Sequence, residues 1–293
     1  MIKRIFVWSF IISIFAGLFL LLGRSGRDIV VLPWRDVNFL FIFLALSIYL
    51  TASLSFYLLW AQIYFALGKK VSGRKSFKVW AYSLLGKYSL LGIGQPLSRV
   101  YLATQLGLQK EATVGSVILE QEMIVMGAIL YAGAGIIMGK HYINFYILSL
   151  SFVIILFLSQ PRLWEKFSNF FLRLRRRPPI SIKISSRQII IWVVKYFIVW
   201  LIVGAAFFLY LNGLGIKGEE NFFSVGVILA VSFLSGYLAP FVPAGLGVRE
   251  ATMSFLISKN LGVDISLAIA AALLFRLLIL LGELLCLCVA RVI

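Results

Sequence analysis

The chain has 293 residues, of which 61% are apolar and 13% charged, and its mean hydropathy is +1.00. Soluble domains average about half apolar and about a quarter charged, so a water-facing exterior is excluded and an all-α integral membrane protein is expected. The net charge is +17, and one His with two Cys excludes zinc fingers, iron–sulfur clusters and disulfide frameworks.

In chain order, apolar runs long enough to cross a bilayer fall at about 5–22, 38–66, 112–138, 142–159, 188–211 and 265–290. The first reads as a signal anchor rather than a cleaved signal peptide, because Gly23 to Asp28 lacks a small-residue cleavage pattern. Two further segments, 79–106 and 222–260, are apolar at both ends but interrupted by Gly, Pro and charge. Such breaks at membrane depth must be hidden in protein or in a wet cavity, so both are read as re-entrant hairpins. The expected layout is a single integral membrane domain over 1–293. Residues 1–37 form the anchor and an outer loop, 38–159 a first half with hairpin 79–106, 160–187 a basic cytoplasmic loop, and 188–293 a second half with hairpin 222–260. No segment between spans is long enough for a separate soluble catalytic domain.

Charge tests this layout, because short cytoplasmic loops collect Lys and Arg. With both hairpins returning to the side they enter from, nearly all the positive excess lies inside, including the eight Lys plus Arg of 160–187. The N-terminus is then cytoplasmic. The excess is explained by this topology and by attraction to anionic inner-leaflet lipid, and requires no nucleic acid.

Sliding the sequence against itself by 155 residues aligns 107–130 with 262–285. Gly107 meets Gly262, Gly127 meets Gly282 and Gln121 meets Arg276. Each copy follows a hairpin, and the hairpins enter from opposite sides, as an inverted repeat requires. A plain bundle with two interrupted helices is the competing reading.

Eight ionisable groups fall at membrane depth: Lys87, Glu120, Glu122, Lys195, Arg249, Glu250, Arg276 and Glu283. A charge at the bilayer centre costs at least about 2.5–3.5 kcal/mol, so each needs a partner, water or a ligand. In the second hairpin Pro240 and Pro243 stop the entering helix, and Gly245 and Gly247 allow close backbone approach. Arg249 and Glu250 then fall in the first turn of a new helix, whose free N–H groups favour an anion such as phosphate. The alternative is that Arg249 and Glu250 neutralise each other or nearby charges. In the first hairpin Gly92, Gly94 and Pro96 mark the turn and Arg99 opens the next helix. Lys87 reads either as snorkelling to an interface or as facing the same cavity as Arg249. Glu120 and Glu122 cannot share a helix face, whereas Arg276 and Glu283, two turns apart, do. Trp8, Trp34, Trp80, His141 and Tyr142 read as interfacial anchors, Lys195 as snorkelling, and Cys286 and Cys288 as packing. No nucleophile and base stand together, so no enzymatic activity is expected, and no metal or cofactor.

At these residues the chain resembles the family defined by the transmembrane region of lysylphosphatidylglycerol synthases, which includes membrane proteins without the synthase domain. The resemblance is carried by P-x-G-x-G-x-R-E (Pro243, Gly245, Gly247, Arg249, Glu250) and by G-K-Y with a following Arg and Glu (Gly86, Lys87, Tyr88, Arg99, Glu120). It extends over most of the chain from about residue 38. Ser89, Leu90 and Leu91 stand where relatives often have Pro-Gly. The resemblance implies a lipid-translocating role, moving aminoacylated phosphatidylglycerol or polyprenyl-linked sugars between leaflets of the cell membrane, without synthase activity. The substrate-binding candidates are Arg249, Arg276, Lys87 and Arg99 for the anion, with Tyr88, and Glu250, Glu120 and Glu283 for charge balance or a cationic head. A glycosyltransferase or aminoacyltransferase is the expected partner. The rival readings are a membrane scaffold docking such an enzyme through 160–187, and a small-solute or ion transporter. No P-loop is present, so ATP is not expected to drive this chain.

Overall fold

A computed structural model describes residues 34–68, 70–88, 94–138, 184–217, 222–239 and 245–293. The expected spans at 5–22 and 142–159, most of the basic loop 160–187, Trp8, His141, Tyr142, Gly92 and Pro243 lie outside the described residues. What is described is helical: α1 (Phe39–Leu67), α2 (Gly73–Leu84), a 3-10 turn (Leu85–Tyr88), α3 (Gly94–Gln105), α4 (Lys110–Met138), α5 (Ser186–Gly213), α6 (Phe222–Tyr237), α7 (Val248–Leu261) and α8 (Ile265–Val292). A short 3-10 turn, Trp34–Asp36, precedes α1.

Four helices are long and apolar enough to cross a membrane, namely α1, α4, α5 and α8. At 1.5 Å per residue each exceeds the roughly 30 Å hydrocarbon core. The described helices make the chain an all-helical, multi-pass membrane protein. Polar caps start the helices where the apolar runs begin. The Asn38 side chain accepts from the N–H of Leu40 at 3.1 Å, Asp264 accepts from Ser266 at 2.8 Å, and Ser185 and Gln188 cap reciprocally. Gly262, in the left-handed conformation, ends α7. Large apolar side chains such as Phe39, Leu58, Ile190 and Leu281 remain exposed on these helices, as a lipid-facing surface allows.

The remaining helices come in two short pairs. α2 and α3 pack together across the first interruption, α6 and α7 across the second. With 12 residues each, α2 and α3 are about 18 Å long, too short to span. The first pair starts at Gly73 rather than at residue 79, because the preceding basic stretch continues the helix. Arg74 and Lys75 stay exposed on one side while Phe77 and Trp80 bury on the other.

Trp80 corrects one expectation. It is 2% exposed and packs against Tyr57 and Phe77, with ring centroids 5.8 and 6.0 Å away, so it is a core residue and not an interfacial anchor. Trp34 is half exposed, and Cys286 is buried in the cluster that holds Trp80, whereas Cys288 is exposed. Several buried polar tips find backbone or hydroxyl partners, whereas the Tyr131 and Tyr196 hydroxyls have none among the described residues. Tyr210 donates to the Ala271 carbonyl at 2.7 Å, Trp200 to Ile124 at 2.9 Å and Trp60 to Ser116 Oγ at 3.1 Å.

Candidate functional site

The second pair closes on glycine. Gly245 has φ +65° and lies so close to Gly236 that a Cβ there would come within 2.9 Å of the Gly236 Cα. Gly247, at φ +86°, turns the chain into α7. One turn in, the Glu250 carboxylate accepts from the Gly247 N–H at 2.6 Å, so this helix start already holds a carboxylate. The first pair closes the same way: a Cβ on Gly86 would meet the Gly94 carbonyl oxygen at 2.5 Å.

Between the two turns lies a cavity of about 520 Å³. The first turn contributes Lys87, Tyr88, Gln95 and Pro96; α8 contributes Phe275 and Arg276, and α4 contributes Gln121. From the second pair come Phe233, Gly236, Tyr237, Arg249 and Glu250, with Gly245 at its turn. Three of the four cations expected to meet an anion, Arg249, Arg276 and Lys87, therefore share one cavity.

Their partners differ. Lys87 pairs with Glu283, whose second oxygen accepts from the Tyr88 hydroxyl at 3.0 Å. Arg276 pairs with Glu250. Arg249 makes no ion pair among the described residues; its guanidinium stands 5.6 Å from the centre of the Phe233 ring. Two cations are thus paired, and Arg249 brings to the cavity a positive charge with no ion-pair partner among the described residues.

Arg99 and Glu120 stand apart. They pair with each other, with side chains 1% and 2% exposed, and neither lines the cavity. Arg99 Nε also donates to Ser83 Oγ at 2.9 Å, and its guanidinium covers the Trp60 ring at 4.9 Å. The pair ties α3 to α4, so Arg99 and Glu120 answer each other away from the cavity that gathers the other three cations. Glu122, two residues on, carries a buried oxygen with no hydrogen-bond partner among the described residues. Lys195 donates to Gln62 at 2.8 Å near the surface. Gly94 begins α3 and Gly247 caps α7, at the edges of the two turns.

Cavity residues that sequence reasoning did not name as binding candidates include Phe233, Tyr237, Gln95 and Gln121. Only Gln121 left a signal, its alignment with Arg276. Phe233 lies a whole turn and helix away from the arginine it supports, which no local pattern reveals.

The described helices gather two ion pairs and the Arg249 guanidinium around a cavity behind an apolar exterior, the placement that charges within a bilayer require. A family model described as the lysylphosphatidylglycerol synthase transmembrane region matches residues 6–286, so the chain belongs to that family of lipid-related membrane proteins. No curated protein matches it significantly.

Proposed function

We propose that the protein is a flippase or scramblase-like transporter that moves a lipid with an anionic headgroup between leaflets of the cell membrane. The observation that carries this reading is Arg249, an unpaired guanidinium facing a cavity among membrane-spanning helices. A cation there is costly unless a ligand answers it, and a guanidinium suits phosphate oxygens in two-point contact. A cavity of about 520 Å³ is the size of a headgroup, so the tails remain in lipid. One net positive charge favours a phosphodiester monoanion, as in phosphatidylglycerol derivatives and sugars linked to a polyprenyl monophosphate.

In this reading the two short helix pairs are re-entrant hairpins entering from opposite leaflets. Two features support an inverted repeat. In each half the second helix of the pair is joined to the following span by one ion pair, Arg99 to Glu120 and Glu250 to Arg276, with the charges exchanged. The aligned glycines Gly127 and Gly282 both make close contacts, with Trp200 and Tyr49 respectively. The N-terminus and the 160–187 loop face the cytoplasm, and a separate glycosyltransferase or aminoacyltransferase supplies the lipid, the chain performing no catalysis itself.

Purified protein in liposomes with a dithionite-quenchable phosphatidylglycerol tests this. Leaflet exchange accelerates over protein-free vesicles, and Arg249→Ala removes the acceleration. Well-folded protein that accelerates neither this probe nor a polyprenyl-phosphate probe refutes the proposal.

A further inference from the structure

Glu122 lies in the long apolar helix α4 and has no ion pair or hydrogen bond among the described residues, and its Oε2 is buried. Its neighbour Gln121 lines the cavity, and so does Tyr237 of α6, whose hydroxyl is within electrostatic reach of Glu122. No cation on the described helices packed against α4 answers it. Arg99 of α3 is held by Glu120, and Lys195 of α5 by Gln62. The buried Tyr196 of α5 lies within the field of Glu120 and Arg99, while the Tyr57 and Tyr64 hydroxyls of α1 are bonded near Gly73 and Gln109. A carboxylate at this depth, with a buried oxygen and no cation to answer it, takes up a proton rather than stay charged.

Resting on the lipid-moving reading above, we infer that Glu122 is a proton-binding site coupled to the headgroup cavity, so that anionic lipid and proton cross together. An anion at Arg249 repels a carboxylate beside the cavity and favours its protonated form; by linkage, protonation favours the anion to the same degree. The proton comes from water on one face and leaves to water on the other when the emptied cavity rehydrates the carboxyl group. One lipid anion and one proton move per cycle, with no covalent bond made and no net charge transferred.

Liposomes containing the full chain and a trace of fluorescent phosphatidylglycerol supply the test, with the membrane potential clamped at zero. In wild type a gradient of one pH unit enriches the probe on the alkaline side, up to about tenfold at one-to-one coupling. Glu122→Gln, neutral like the protonated acid, loses that enrichment, and Glu122→Asp retains it. Separately, binding of short-chain phosphatidylglycerol to purified protein is followed from about pH 6 to pH 10. Wild type loses up to about tenfold affinity per pH unit once the carboxyl group ionises, a limb that Glu122→Gln lacks while sharing any titration of Lys87. Exchange that ignores the gradient in wild type, or an unchanged response in Glu122→Gln, overturns the coupling and leaves lipid movement standing. A pH-linked binding limb without exchange keeps the coupling and overturns movement. A folded protein that neither binds nor moves the probe overturns both.

Discussion

Replacing Arg99 by Ala leaves the Glu120 carboxylate in a site where its side chain is 2% exposed, with no cation to meet it. Breaking a buried pair from one side costs about 3–5 kcal/mol, because the remaining charge is neither solvated nor paired. Insertion scales, at about 2.5–3.5 kcal/mol for a charge at the bilayer centre, point to the same size. Arg99→Ala also loses the Trp60 contact, about 0.5–2 kcal/mol, but leaves an acid that can take up a proton, whereas loss of Glu120 strands a guanidinium that cannot give one up. The double variant Arg99→Met/Glu120→Leu removes both charges, and the lost attraction is largely offset by the desolvation no longer required. It therefore unfolds closer to wild type than either of its own single variants, with a coupling energy above about 3 kcal/mol. Unfolding free energies in mixed micelles check the cycle, and lipid exchange per folded molecule checks the role. Single variants that cost less than about 1 kcal/mol, or strictly additive losses, refute a buried pair. A folded double variant that no longer binds phosphatidylglycerol would return Arg99 to the headgroup.

Arg249→Ala changes stability little, since the side chain has only its ring contact to lose, but weakens phosphatidylglycerol binding roughly 10- to 150-fold, the worth of a charge-assisted contact. Arg249→Lys recovers only part of that in the same binding assay, because an ammonium cannot make a two-point contact. Glu283→Gln frees the Lys87 charge, and binding then shifts toward a phosphomonoester head over a diester by about tenfold, measured by competition between short-chain lipids. Gly245→Ala places a Cβ against the Gly236 backbone in a left-handed conformation and destabilises by at least about 1–2 kcal/mol, read from micelle unfolding. In a Cys288→Ser background, single cysteines at Ser72 and Leu106 react with an impermeant thiol reagent from the same face of the membrane, and those at Phe222 and Lys259 from the other. Labelling of either pair from opposite faces would make that helix pair a single crossing.

The four long helices were legible because their information is local: about twenty apolar residues in a row satisfy their own backbone and fit a bilayer wherever they are placed. The two interruptions were legible for the complementary reason, since Gly, Pro and charge cannot continue a lipid-facing helix. So was the place of Arg249 at a helix start, because an arginine just after Gly245 and Gly247 sits where a turn must be. Partner choice was not legible. In sequence Arg99 and Arg249 look alike, each just past a Gly- and Pro-marked turn. Only packing sealed the first against Glu120, Ser83 and Trp60 and left the second over Phe233 with no carboxylate. Likewise Glu120 and Glu122 differ by two positions on one helix, yet rotation toward α3 pairs one and leaves the other alone. Hydropathy is a property of a segment, whereas neutralising a charge requires another atom within about 4 Å, and tertiary structure alone decides which atom that is.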